Sequence, residues 1–346
     1  MGLEQTPTAL AAPLRCAVLG GGSWGTALAS VLAEHHEVAL WARDPLIIQG
    51  INDEHRNLKY QRGFVLSPRI RGCAQLEEAL AGAELVLIAV PSAGVRSLAS
   101  AIAPLLAPGT LIICAAKGIE VESLMTMEQV LSSTLPRAHR SELSFLSGPS
   151  FAAETLARSA TAVTIAARFP DIALRAQRAV STSYFRVYRT EDVTGVELGG
   201  ALKNVIAIAA GVADGLSLGH NSRAALITRG IAEISRLAVS MGANPLTLSG
   251  LAGLGDLVLT CTGGLSRNRH VGVELGRGRS LEQILDSMDQ VAEGVLTAKS
   301  VYALAQREQV EMPICEEVYR MLYEQKPAPL VLRDLMTRQP KQERDR

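Results

Sequence analysis

Residues 18–32 read VLGGGSWGTALASVL. An apolar run ends in glycines, Gly20, Gly22 and Gly25 stand at fixed spacing, and a helix-patterned stretch follows. The pattern Gly20-x-Gly22-x-x-Gly25, placed after a strand and at the opening of a helix, is the context of a dinucleotide-binding turn. Each glycine has its own physical reason. The first makes a turn that a side chain would obstruct. The second lets a backbone amide approach a pyrophosphate, and the third lets helix and strand pack closely. The helix N-terminus then offers unpaired N–H groups and the positive end of its dipole to the anion. Glycines at this spacing also occur in plain turns, so the flanking sequence has to decide.

The flanks alternate. CAVLG (16–20), EVALWAR (37–43), AELVLIAVPS (83–92) and GTLIICAAKG (109–118) are strand-like, with helical stretches between them. Uninterrupted apolar runs of this length suit strands buried on both faces of a parallel sheet. SFLSGPS (144–150), TAVTIAA (161–167) and YFRVYRT (184–190) read as later strands. Asp44-Pro45 is a helix start, a cap followed by proline in the first turn. The alternation predicts a doubly wound α/β domain. From about Glu191 strand signals nearly vanish, and helix-patterned stretches such as GGALKNVIAIAAGVADGL and GVLTAKSVYALAQRE follow, punctuated by Gly, Asn and Pro. The expected organisation is a loose tail over 1–13, an α/β domain over 14–190, an all-helical domain over 191–335 and a frayed tail over 336–346.

The 346 residues are 48% hydrophobic and carry 34 basic against 34 acidic side chains. The balance shows no electrostatic footprint for nucleic acid or a membrane surface. Five cysteines stand far apart without a CxxC, and the six histidines have no metal spacing. The start lacks the pattern of a signal peptide, and no run of about 18 uninterrupted apolar residues occurs. The reading is a cytoplasmic protein without membrane anchor or metal site.

Five places invite chemistry. At the end of the second strand the chain reads Trp41-Ala42-Arg43-Asp44. A guanidinium at Arg43 suits the 2′-phosphate of NADP(H) and can stack on adenine; a solvated arginine is the plain alternative, and Asp44 keeps NAD(H) open. Lys203 interrupts the nearly all-apolar VELGGALKNVIAIAAGVADG (196–215). Burying its charge is costly, so it either snorkels outward or serves a site, where desolvation lowers its pKa and suits proton transfer. Lys117 ends a strand at the carboxyl edge of the sheet, where ligands of such folds bind. Asp256 in GLGDL is either a helix cap or a site carboxylate. Ser266, Arg267 and Asn268, after Gly263-Gly264, resemble an anion site, with an ordinary polar helix start as the alternative.

In order and spacing, GGGSWGTALA, AAKGIE, LSGPSFAAE, GVELGGALKNVIAIAAGVADGL, RAALITRGIAEISRL, GLAGLGDLVLTC and SRNRHVGVELGRG resemble the bacterial NAD(P)-dependent glycerol-3-phosphate dehydrogenases. The resemblance covers about residues 14 to 330. It implies an N-terminal Rossmann domain, a helical substrate domain and reversible reduction of dihydroxyacetone phosphate to sn-glycerol 3-phosphate, feeding glycerophospholipid synthesis. It leaves a homodimer open. Carried over by residue, it implies Lys203 as proton donor and acceptor, and Lys117 against both cofactor and substrate. It implies Gly148, Ser150, Asp256, Ser266, Arg267 and Asn268 against the substrate, with Asp256 orienting either Lys203 or a substrate hydroxyl. It implies Ser23, Trp24, Arg43, Ala152, Arg267, Val291 and Glu293 against the cofactor, beside Gly20, Gly22 and Gly25. The first dozen residues and the two glycines of TCTGGLSRN depart from the family pattern. Two rivals remain at this stage: a β-hydroxyacid or 6-phosphogluconate-type dehydrogenase, and a non-catalytic nicotinamide-sensing protein.

Overall fold

Eight strands form one sheet in the order β3-β2-β1-β4-β5-β6-β7-β8, in a computed structural model that describes residues 12–288, 291–340 and 342–343. The strands are β1 (Arg15–Leu19), β2 (Glu37–Trp41), β3 (Ile70–Cys73), β4 (Leu85–Ile88), β5 (Leu111–Cys114), β6 (Leu143–Ser147), β7 (Thr161–Ala166) and β8 (Phe185–Thr190). β1 to β6 run parallel. β7 lies antiparallel to β6, and β8 runs parallel to β7. Every residue of β4 and β5 is buried, because helices cover both faces of the sheet. β3 is the strand the sequence pattern misses. It is four residues long, Arg71 is exposed, and the Asn52 side chain brackets Gly72 by donating to its carbonyl at 3.1 Å and accepting from its amide at 2.8 Å.

Chain order reverses between β1 and β4, which lie side by side. The connections from their carboxyl ends leave in opposite directions, and the crevice between them is where such sheets bind ligands.

Past β8 every regular element among the described residues is helical. Six helices build the site: α1 (Ser23–Leu32), α2 (Pro45–Glu54), α3 (Val193–Gly215), α4 (Asp256–Thr262), α5 (Arg267–Gly276) and α6 (Glu293–Glu308). The axis of the helical part is α3, buried almost throughout and surrounded by α4, α5, α6 and the Gly219–Ser240 helix. By length and apolarity α3 and the run Pro245–Thr262 could cross a membrane, but the α3 window is 94% buried inside the protein. A helix apolar all round is what such a core position requires.

Small residues let α3 and α5 touch backbone to backbone. A Cβ on Gly272 would lie 2.0 Å from the Ile208 carbonyl oxygen, and one on Gly211 would lie 2.1 Å from that of Arg269. This close approach carries the start of α5 to the middle of α3, where Lys203 sits. The 1–13 tail falls mostly outside the described residues, as do parts of 336–346.

Candidate active site

The glycine turn behaves as its spacing requires. Gly20 has φ +128°, and a Cβ there would lie 2.8 Å from the Ala89 carbonyl atoms. A Cβ on Gly22 would meet nothing within 4 Å, so the approach to this turn is open. A Cβ on Gly25 would lie 1.8 Å from the Gly20 carbonyl oxygen, which is the close helix–strand contact. Gly22 caps α1 with no side-chain acceptor, so the first-turn N–H groups face the crevice unpaired by a cap. The indole Nε1 of Trp24 is buried without a hydrogen-bond partner.

A cavity of ≈ 810 Å³ runs from this turn to the helical part. At one end lie Arg43, Asp44, Lys59 and Tyr60; at the other lie Lys203, Asp256, Thr260 and the Ser266–Asn268 stretch. Ser23, Trp24, Lys117, Ser150, Ala152, Val291 and Glu293 line it between. Gly25 and Gly148 do not; they shape it from behind. Gly148 has φ +140° and would drive a Cβ to 2.8 Å from Val163 Cα, so only glycine holds its carbonyl where Lys117 meets it.

Asp256 is the hub. Its carboxylate is 1% exposed and takes the Lys203 Nζ on Oδ1 at 2.6 Å and the Lys117 Nζ on Oδ2 at 2.7 Å. The helix-cap alternative is therefore excluded for its side chain. Nor does Lys203 snorkel: it is 7% exposed. Lys203 also donates to Thr260 Oγ1 at 2.8 Å, and Thr260 in turn donates to the Asp256 carbonyl at 2.6 Å. Lys117 donates to the Gly148 carbonyl at 3.2 Å. An unpaired buried ammonium would cost several kcal/mol, and the shared carboxylate offsets that. Burial pushes the Lys203 amine down to about 8, with Lys117 pushing the same way and Asp256 opposing. With both amines protonated, the cluster carries one net positive charge, matched to an anionic ligand.

The Ser266-Arg267-Asn268 stretch is more committed than its sequence implies. Ser266 Oγ caps α5, accepting from the Arg269 amide at 3.2 Å, so the polar-helix-start alternative holds for this hydroxyl. Asn268 donates to Asn204 Oδ1 at 2.9 Å and accepts from the Gly294 amide at 2.9 Å, tying α5 to α3 and α6. Arg267 donates to the Val291 carbonyl at 2.8 Å. Glu293, at the start of α6, accepts from Ser92 Oγ at 2.7 Å and its amide at 3.3 Å, which joins the helical part to the loop after β4. Thr260, Asn204 and Ser92 are not assigned to the site from sequence. Two of them carry a signal: Asn204 interrupts the apolar helix beside Lys203, and Thr260 stands one helical turn beyond Asp256.

At the other end Arg43 is exposed and makes no hydrogen bond or ion pair among the described residues, while Asp44 is engaged on both oxygens. No group of His, Cys, Asp and Glu able to hold a metal occurs among the described residues. All five cysteines are buried and unpaired.

The profile of the NAD-dependent glycerol-3-phosphate dehydrogenase N-terminus matches residues 15–173, and that of its C-terminus matches residues 192–333. The chain is 54% identical over 331 residues to the glycerol-3-phosphate dehydrogenase [NAD(P)+] of Myxococcus xanthus, covering 95% of this chain and 99% of that one. It is 51% identical to the enzyme of the same name from Geobacter sulfurreducens, over 95% and 99%. The crystal structure of glycerol-3-phosphate dehydrogenase from Coxiella burnetii superposes with a TM-score of 0.90 at 37% identity, covering 94% and 99% of the two chains. D-mandelate dehydrogenase, at 13% identity and a TM-score of 0.60, shares the fold alone. A Rossmann domain with a helical partner, matched along both halves to one set of profiles and at half its residues to curated enzymes, is a member of the NAD-dependent glycerol-3-phosphate dehydrogenase family.

Proposed function

We propose that this chain reduces dihydroxyacetone phosphate reversibly to sn-glycerol 3-phosphate with NADP(H), and with NAD(H) as a second cofactor. The observation that carries the reading is the Lys203–Asp256–Lys117 cluster at the far end of the cavity that begins at the glycine turn. The residues fit a dinucleotide: Gly20 makes the turn, Gly22 leaves open space at it for the pyrophosphate, α1 offers its N–H groups, and the Trp24 Nε1 of its first turn has no partner within the protein. When bound, the nicotinamide supplies or takes the hydride.

The chain's own residues do the rest. Lys203, as ammonium, stabilises the charge that develops on the ketone oxygen and donates its proton to it. In oxidation neutral Lys203 takes the proton back. A pKa near 8 keeps both forms within reach at neutral pH. Asp256 sets the Lys203 Nζ position and anchors Lys117, which adds positive charge beside the substrate. Arg267 and the first amides of α5 attract the phosphate, whose binding energy positions the ketone. The placement of the protein is cytoplasmic, supported by five unpaired cysteines, and the product serves glycerophospholipid synthesis.

The test is a substrate panel followed through NADPH, consumed in ketone reduction and formed in alcohol oxidation. Dihydroxyacetone phosphate should turn over, and 6-phosphogluconate and β-hydroxyacids, assayed in the oxidative direction, should not. Turnover of a hydroxyacid with none of dihydroxyacetone phosphate would replace the reading with that of the related dehydrogenases.

A further inference from the structure

The adenosine end of the cavity contains a second cation that the sequence did not single out. Lys59 lies on the segment between α2 and β3 and lines the cavity beside Arg43 and Tyr60. Its Nζ stands 2.8 Å from Asp44 Oδ2, with both side chains partly exposed. Asp44 Oδ1 accepts from the Leu46 amide at 3.0 Å as the cap of α2. The carboxylate that could have served a ribose hydroxyl is thus occupied on both oxygens, once by the helix and once by Lys59.

The Lys59 segment is tied to the glycine turn. Asn57 is fully buried and donates to the Gly21 carbonyl at 2.9 Å and to Thr26 Oγ1 at 2.8 Å. Its Oδ1 accepts from the Lys59 amide at 3.2 Å and the Tyr60 amide at 2.9 Å. Four hydrogen bonds to one buried amide hold the Lys59 backbone in register with the phosphate-binding turn. A surface ion pair by itself contributes little to stability, so the fixed placement is better explained by what the two charges present to the cavity.

We infer that Lys59 and Arg43 together form the site for the 2′-phosphate of NADP(H), with Lys59 shielding the phosphate from the Asp44 carboxylate. Arg43 supplies a planar fork and Lys59 a point charge. Without Lys59 the Asp44 carboxylate would face a phosphate dianion, and like charges at close range repel. With NAD(H) there is no 2′-phosphate, and Lys59 stays paired with Asp44. The Lys59–Asp44 pair is then the element that sets selectivity between the two cofactors.

This rests on the assignment of the 2′-phosphate to the Arg43 end, so Arg43→Ala enters the same experiment. The readout is calorimetric binding of NADP⁺ and of NAD⁺, which differ only in that phosphate. Lys59→Met should weaken NADP⁺ about tenfold, the lower end for a charge-assisted contact, and leave NAD⁺ within about twofold. Lys59→Arg should retain selectivity. Asp44→Asn keeps the α2 cap, since asparagine caps as well as aspartate, and should tighten NADP⁺; combined with Lys59→Met it should recover part of the loss. Equal weakening of both cofactors by Lys59→Met, or no change in either, overturns the inference. If Arg43→Ala removes selectivity while Lys59→Met does not, Lys59 alone is dismissed. If neither removes it, the 2′-phosphate site itself is misplaced.

Discussion

At the scale of single residues, the proposed mechanism turns on the Lys203 amine, which burial pushes down to about 8. Ketone reduction needs the ammonium form of Lys203, so kcat for dihydroxyacetone phosphate should fall as pH rises through about 8. Oxidation of glycerol 3-phosphate needs the neutral amine and should rise over the same interval. A pH profile of kcat in both directions checks the sign; two limbs that move together would place the titration elsewhere. Thr260 should favour the ammonium form. Its Oγ1 accepts from the Lys203 ammonium at 2.8 Å, a charge-assisted bond of about 1.5–3 kcal/mol. Thr260→Val deletes that acceptor and should move the reductive limb down by about one pH unit or more, with NADPH affinity unchanged. Arg267 makes a separable prediction. Arg267→Ala should sharply lower kcat/KM for dihydroxyacetone phosphate and barely alter the slower reaction with dihydroxyacetone, which has no anion to lose; equal fractional losses would remove it from the phosphate site.

At the scale of elements, what was legible in sequence was local. The Gly20-Gly22-Gly25 turn sits within one strand–helix unit, and β4 and β5 announce themselves as unbroken apolar runs because both their faces are covered. β3 did not, because an edge strand of four residues with Arg71 and Gly72 in it has no apolar pattern to read. Lys203 was conspicuous as a charge in an apolar helix, but its partner Asp256 lies 53 residues on, and Lys117 pairs with Asp256 across 139 residues. Spacing cannot encode such a meeting. The glycines of α3 and α5 were equally silent: only the packed pair shows that Gly272 leaves no room beside the Ile208 carbonyl. Overpacking typically costs about 1–3 kcal/mol; here the clash is with backbone, so Gly272→Val should reach the upper end. It should also pull Asn268 away from Asn204, lowering both melting temperature and turnover. Gly264→Ala, where a Cβ meets nothing within 4 Å, is the control and should melt with the parent. A Gly272→Val protein that melts with the parent would mean that the two helices do not cross so closely.

At the scale of the whole molecule, the site exists because two cores meet. Lys117 comes from the end of the sheet, Lys203 and Asp256 from the helical part, and Glu293 fastens α6 to the loop that carries Ser92. The proposed mechanism puts the dinucleotide mainly against the sheet side and proton transfer on the helical side, so the two should be separable by mutation. The direct test is Lys203→Met, which removes the amine while keeping an unbranched apolar stem in the core of α3. Turnover of dihydroxyacetone phosphate should fall about 10²- to 10⁴-fold, the usual worth of a positioned acid, with NADPH titrating as it does in the parent. Turnover within about threefold of the parent, in a protein that still binds NADPH, would contradict the assignment of Lys203 to the chemical step.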